Sequence, residues 1–267
     1  MLRSTFLKTL RDRRRGLVWW GAGIVLLVAW TVGFYPSIRG SAGEYSRILE
    51  QMPEALRELF LAQGADLSSP RGYLSIELFS FMVPILFLVY GIGFGARTVA
   101  GEEQEGSLDL LLSNPVSRRR VLAEKLAAML VAQGILGGVL WVSLAAGSAI
   151  VDLDVPLTDL ASAAVSGVLL GWAFGAIALG LGAATGRRAL AVGITSALAV
   201  GSYLLNGVAA AVEALGPLRV ASPFYWYFGG DPLSNGLSPT HAGLLIALVG
   251  AAVLPGLAAF DRRDLAT

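Results

Sequence analysis

Residues 97–125 read R-T-V-A-G-E-E-Q-E-G-S-L-D-L-L-L-S-N-P-V-S-R-R-R-V-L-A-E-K, a polar island between two long apolar runs. Glu102, Glu103 and Glu105 place three acids within four residues, and Gly106 then breaks the pattern. Leu108, Leu110, Leu111 and Leu112 gather around Asp109 in a short amphipathic segment. Asn114-Pro115 stops it, because the residue before a proline is pushed out of the helical region. Ser117 is placed to cap a new helix that enters the next apolar run. The island therefore reads as helix end, acidic turn, short surface helix, break and helix start. A bare connection between two spanning helices needs only a few residues; the length and patterning here point to a docking surface.

The runs on either side set the fold class. Of the 267 residues, 55% are hydrophobic and 15% charged, against about 25% charged in soluble domains. The charges cluster, leaving uncharged stretches too long for a soluble core helix, so the chain is expected to be an all-α polytopic membrane protein. A net charge of +1 gives no bulk field for nucleic acid. The absence of cysteine excludes disulfides, thiolate metal sites and cysteine nucleophiles, and a lone histidine, His241, excludes a histidine metal cluster. No G-x-x-x-x-G-K-[ST] occurs, and Lys8 and Lys125 are the only lysines. The chain is expected to bind no ATP through a P-loop of its own and to hold no metal or cofactor.

Six transmembrane helices are expected in one membrane domain, at about 17–34, 78–96, 126–151, 160–185, 189–212 and 242–260. Before the first, Leu2, Phe6, Leu7 and Leu10 share a helical face with Arg3, Lys8, Arg11 and Arg13 around it. That pattern predicts an N-terminal interfacial amphipathic helix lying on anionic headgroups, followed by an uncleaved span. Trp19, Trp20 and Trp30 are expected at the membrane interfaces. Gly91 and Gly95 form a G-x-x-x-G face for close helix approach.

Two longer loops leave the opposite side. The first, 35–77, has Tyr45, Ile48, Leu49, Met52, Leu56, Leu59 and Phe60 at helical spacing, with Pro53 expected to kink or split the helix. It reads equally as a cap over an exit or as a connector resting on the surface. The second holds a segment at about 220–232 in which Phe224, Tyr225, Trp226, Tyr227 and Phe228 follow one another. Too short to span, it is expected to be re-entrant or interfacial, and its aromatics are candidates for an outer gate.

Fifteen of the twenty Lys and Arg fall on the N-terminal segment, the 97–125 loop, Arg187-Arg188 and Arg262-Arg263. Positive residues favour the cytoplasm, which places both termini and the acidic island inside. The spans carry no Asp, Glu, Lys, Arg or His in their interiors. Ion-driven carriers need such groups despite a cost of ~2.5–3.5 kcal/mol or more each at the bilayer centre. A transporter built this way needs another energy source. His241, at the mouth of the sixth span, reads as a capping or interfacial residue.

The run A-G-E-E-x-E-G-S-L-D-L-L-L-x-x-P-V-S-R-R-x-x-L-x-E-K resembles the first cytoplasmic loop of the type-2 ABC export permeases. In that family the segment joins the second and third membrane helices and carries a coupling helix that sits on a separate ATPase subunit. The resemblance implies that Glu102, Glu103, Glu105, Gly106, Leu108, Leu111, Leu112, Pro115 and Arg118 contact a P-loop ABC ATPase. It also implies two permeases, identical or different, assembled with two ATPases that hold the ATP and Mg. The setting it implies is the plasma membrane of a prokaryote, with lipids as the other partner and a hydrophobic drug, peptide or lipid as substrate. The residues alone leave open a non-transporting membrane anchor, or a sensing-complex component, that recruits a cytoplasmic partner.

Overall fold

A computed structural model describes residues 4–51, 69–108 and 116–263. Among the described residues six helices are long and apolar enough to cross a membrane, and no strand occurs. The long helices are α1 (Thr5–Glu50), α2 (Met82–Ala96), α3 (Arg118–Val151), α4 (Leu157–Thr185), α5 (Arg188–Ala211) and, after a short α6 (Pro223–Phe228), α7 (Pro239–Arg262).

The N-terminal amphipathic segment is helical, but it is not a separate helix turning into the bilayer. It runs straight into the first span and on through Pro36 to Glu50. At 1.5 Å per residue a helix of 46 residues is ~70 Å long, more than twice a hydrocarbon core. The beginning of the 35–77 loop is thus the projecting end of α1. Pro53 and the rest of the amphipathic pattern there, 52–68, lie outside the described residues.

α2 and α4 are the buried centre, and the other four spans present most of their surface outward. Small residues make that centre possible. A Cβ on Gly91 would lie 2.6 Å from the Gly171 carbonyl oxygen, and one on Gly95 would lie 2.2 Å from that of Gly175. The G-x-x-x-G face of α2 therefore meets a matching glycine pair on α4, backbone against backbone. On its other side α4 meets α7, where a Cβ on Gly256 would strike the Gly180 backbone at 2.5 Å. Gln133 of α3 is fully buried at this centre and donates to the Gly171 carbonyl at 3.3 Å. Trp172 ties α4 to α3 in the same way, through its indole N–H and the Leu130 carbonyl at 3.1 Å.

α2 is bracketed by two wide π-helical turns, Ser75–Phe79 and Arg97–Gly101. Such turns interrupt the regular hydrogen-bond ladder and recur at functional sites. The second opens directly into the acidic island.

Candidate functional site

The ends of α2, α3, α4, α5 and α7 that carry the basic clusters meet at one end of the bundle, here the basic end. After the π turn, Glu102–Gln104 forms one more helical turn. Gly106 then takes φ +70°, the left-handed conformation glycine adopts without penalty, and its N–H reaches back to the Glu103 carbonyl at 3.0 Å. A Cβ there would meet nothing within 4 Å, so only the backbone turn demands glycine. Ser117 caps α3 as expected, accepting from the Arg120 N–H at 3.3 Å.

The acids do not share one role. Glu102 pairs with the Lys125 ammonium at 2.5 Å, and that lysine is fully buried while also donating to the Thr98 carbonyl of the π turn. Glu103 forms a tight two-oxygen pair with Arg263 just past α7. Arg263 also donates to the Ala183 carbonyl at the end of α4, at 3.2 Å. That placement suits a cation, because the last carbonyls of a helix lack partners and carry its negative dipole. Glu105 is exposed and reaches Arg97 only at 3.5 Å. Arg118 donates to the Phe260 and Arg263 carbonyls at 2.8 and 2.6 Å and lies over the Phe260 ring. The island is thereby fastened to three spanning helices.

Leu108 differs from expectation. Its side chain is fully buried in a cluster with Val99, Leu122, Leu179, Ala183 and Phe260. It anchors the start of the segment inside the chain and presents nothing to a partner. Leu111, Leu112 and Pro115 lie outside the described residues.

At the opposite, aromatic end, α6 packs against α4, α5 and α7. Ser222 caps it, and its hydroxyl donates to the Ser202 carbonyl of α5 at 2.7 Å. Phe224 and Tyr227 are buried. The Tyr227 hydroxyl donates to the Phe79 carbonyl at 2.8 Å, and burial pushes its phenol up, so it stays a neutral donor. Phe224 lies among Phe174, Tyr203 and Phe228 at centroid distances of 5.2–6.3 Å. Trp226 donates to the Val220 carbonyl at 2.8 Å. Tyr225 stands edge-on to His241, with Arg219 over its ring at 5.5 Å. The structure brings all five aromatics to one end: Phe224 and Tyr227 are buried in the core, and Trp226 and Phe228 pack against it partly exposed.

Sequence reasoning missed three residues of this arrangement. Lys125 reads as the edge of a solvated loop, yet it is buried. Arg263 reads as part of a terminal basic pair, yet it binds two other helices. Gln133 was visible as the one amide in a 26-residue uncharged run, a polar residue placed where the bilayer offers it no water.

A comparison with curated proteins found no match. The family model described as ABC-2 family transporter protein matches residues 4–265, almost the whole chain. With six apolar helices of spanning length around a glycine-packed centre, the chain belongs to the ABC-2 transporter family and is a multi-pass membrane protein of the transport-permease type.

Proposed function

We propose that this chain is the permease subunit of an ATP-driven exporter, working with a separate P-loop ATPase that docks on the 97–125 segment. The observation that supports this most is the fastening of that segment. Glu102 holds α3 through Lys125, Glu103 holds the ends of α7 and α4 through Arg263, and Arg118 bonds the Phe260 carbonyl of α7. A partner that displaces the segment pulls on three helix ends together. A loop whose charges only kept it out of lipid would need no buried lysine, which is costly to desolvate.

On this reading ATP and Mg bind the partner, two permeases assemble with two ATPases, and both termini face the cytoplasm of a prokaryotic cell. The substrate is hydrophobic, a drug, peptide or lipid, and leaves past the aromatic end, where Phe224 to Phe228 act as the gate. Ion-free span interiors support an energy source outside the membrane domain.

Co-expression with the cognate ATPase tests this. Leu111→Asp places a charge at the docking contact and should abolish co-purification. Glu103→Ala should keep binding but break the link to Arg263, so that hydrolysis continues while export falls. If both variants co-purify and export at the wild-type rate, the segment is only a loop, and a membrane anchor becomes the better reading. The chain has no native cysteine, so orientation is read separately: a cysteine at Ser107 should label from the cytoplasm and one at Thr158 from outside.

A further inference from the structure

The ion pairs at the basic end leave positive charge unanswered. Arg13 of α1 lays its guanidinium over the Phe94 ring of α2, 5.0 Å from the centroid. Arg97 and Arg188 lie within electrostatic reach of it and meet each other across Gly101, where a Cβ would lie 2.8 Å from Arg97 Cγ and 3.7 Å from Arg188 Cδ. The carboxylates in reach are already engaged, Glu102 by the buried Lys125 and Glu105 by Arg97. Neither Arg13 nor Arg188 has an ion pair with a described carboxylate.

A second observation points into the same place. Tyr90, one turn before Phe94 on α2, is 8% exposed, and its hydroxyl is buried with no hydrogen-bond partner. It lies within electrostatic reach of Arg13 and packs edge-on against Trp20 at 5.7 Å. Buried hydroxyls are nearly always satisfied, so an orphan beside an unpaired arginine marks a missing acceptor. α5 begins at Arg188 with no side-chain cap, leaving its first N–H groups and the positive end of its dipole free.

We propose that Arg13 and Tyr90 bind a phosphoryl anion, with Arg97, Arg188 and the start of α5 supplying the field, and that the anion is the headgroup phosphate of an acidic phospholipid. The lipid source is favoured by what adjoins the cluster. Val18 and Trp19 on α1 and Ile194 and Leu198 on α5, five to ten residues further into the spans, are exposed apolar side chains that offer acyl chains a surface. A phosphate oxygen accepts from both the guanidinium and the phenol, and charge-assisted bonds of this kind are about twice as strong as neutral ones. The proposal goes beyond the exporter reading and does not depend on it.

Native mass spectrometry of the purified permease tests it, in micelles holding equal phosphatidylglycerol and phosphatidylcholine. No ATPase or nucleotide is present, so failure here leaves the exporter reading untouched. The wild type should retain phosphatidylglycerol preferentially. Arg13→Gln should cut that preference about tenfold and Tyr90→Phe about threefold, while Arg71→Gln at the far end leaves it intact. Wild-type preference in both folded site variants overturns the site. Should Arg13→Gln fail to fold, Tyr90→Phe decides by itself. Excess inorganic phosphate should not displace the lipid; displacement would make the ligand free phosphate and overturn the lipid assignment.

Discussion

At the basic end of the bundle Lys125, Glu102, Glu103, Arg263 and Arg118 tie the turn that follows α2 to α3 and α7 with ion pairs and charged hydrogen bonds. At the aromatic end Phe224 and Tyr227 join α4, α5 and the π turn before α2 with ring contacts and a neutral hydrogen bond to the Phe79 carbonyl. Ion pairs can be exchanged for a partner's charges or for water, and they respond to salt. Ring packing offers a partner nothing to exchange and answers only to shape. Among the described residues the chain thus places all its ion pairs but Arg71–Asp159 where the polar island leaves the bundle, and its ring packing at the opposite mouth.

The strongest way to break this contrast is Lys125→Met. It leaves Glu102 facing a buried site, and losing one partner of a buried pair costs ~3–5 kcal/mol. Thermal unfolding in detergent should show a large loss for Lys125→Met and substantial recovery in Lys125→Met with Glu102→Gln, because both charges are then gone. Equal loss in the single and the double variant would mean the stem of the lysine, not its charge, fills the site.

Phe224→Ala tests the other end. Removing a buried ring costs ~3 kcal/mol or more, and that loss should be the same at low and high salt. A loss that shrinks as salt rises would show that the aromatic end leans on a charge, with Arg219 over Tyr225 the first suspect. Tyr227→Phe is smaller, about 1–2 kcal/mol, since it leaves the Phe79 carbonyl without its donor.

Much of this was legible in the sequence and some was not, for one physical reason. Spans, caps and turns are local: the helix start at Ser117, the turn at Gly106 and the close-packing face of Gly91 and Gly95 each follow from a few adjacent residues. Lys125 and Arg263 were misplaced because a charge beside a polar loop has two solutions. It can face water, or it can be buried against a partner 23 or 160 positions away, and composition does not distinguish them. Leu108 failed for the same reason: an amphipathic leucine turns inward or outward according to what long-range packing leaves open. The continuity of α1 was hidden by Pro36 and the change from apolar to polar residues, which marks where a helix leaves the membrane and not where it ends.

The smallest expected effect sharpens the comparison most, because it separates burial from position. Arg118 and Arg119 are neighbours that both reach the end of α7. Arg118 bonds to two carbonyls, while Arg119 pairs with Asp261 at 2.6 Å with three quarters of its side chain in solvent. If any charge at the basic end held the bundle, the two would matter alike. An exposed pair repays side-chain ordering poorly and is worth ~0.2–1 kcal/mol. A charged donor to partly buried carbonyls, aligned with the negative end of a helix, is worth about 1.5–3 kcal/mol. Arg119→Gln should therefore barely move the unfolding temperature, and the small shift should vanish at high salt. Arg118→Gln should lower it clearly at either salt concentration. Equal effects from the two substitutions would mean that net charge at this end, and not the bonds made by particular side chains, holds α7 to the start of α3.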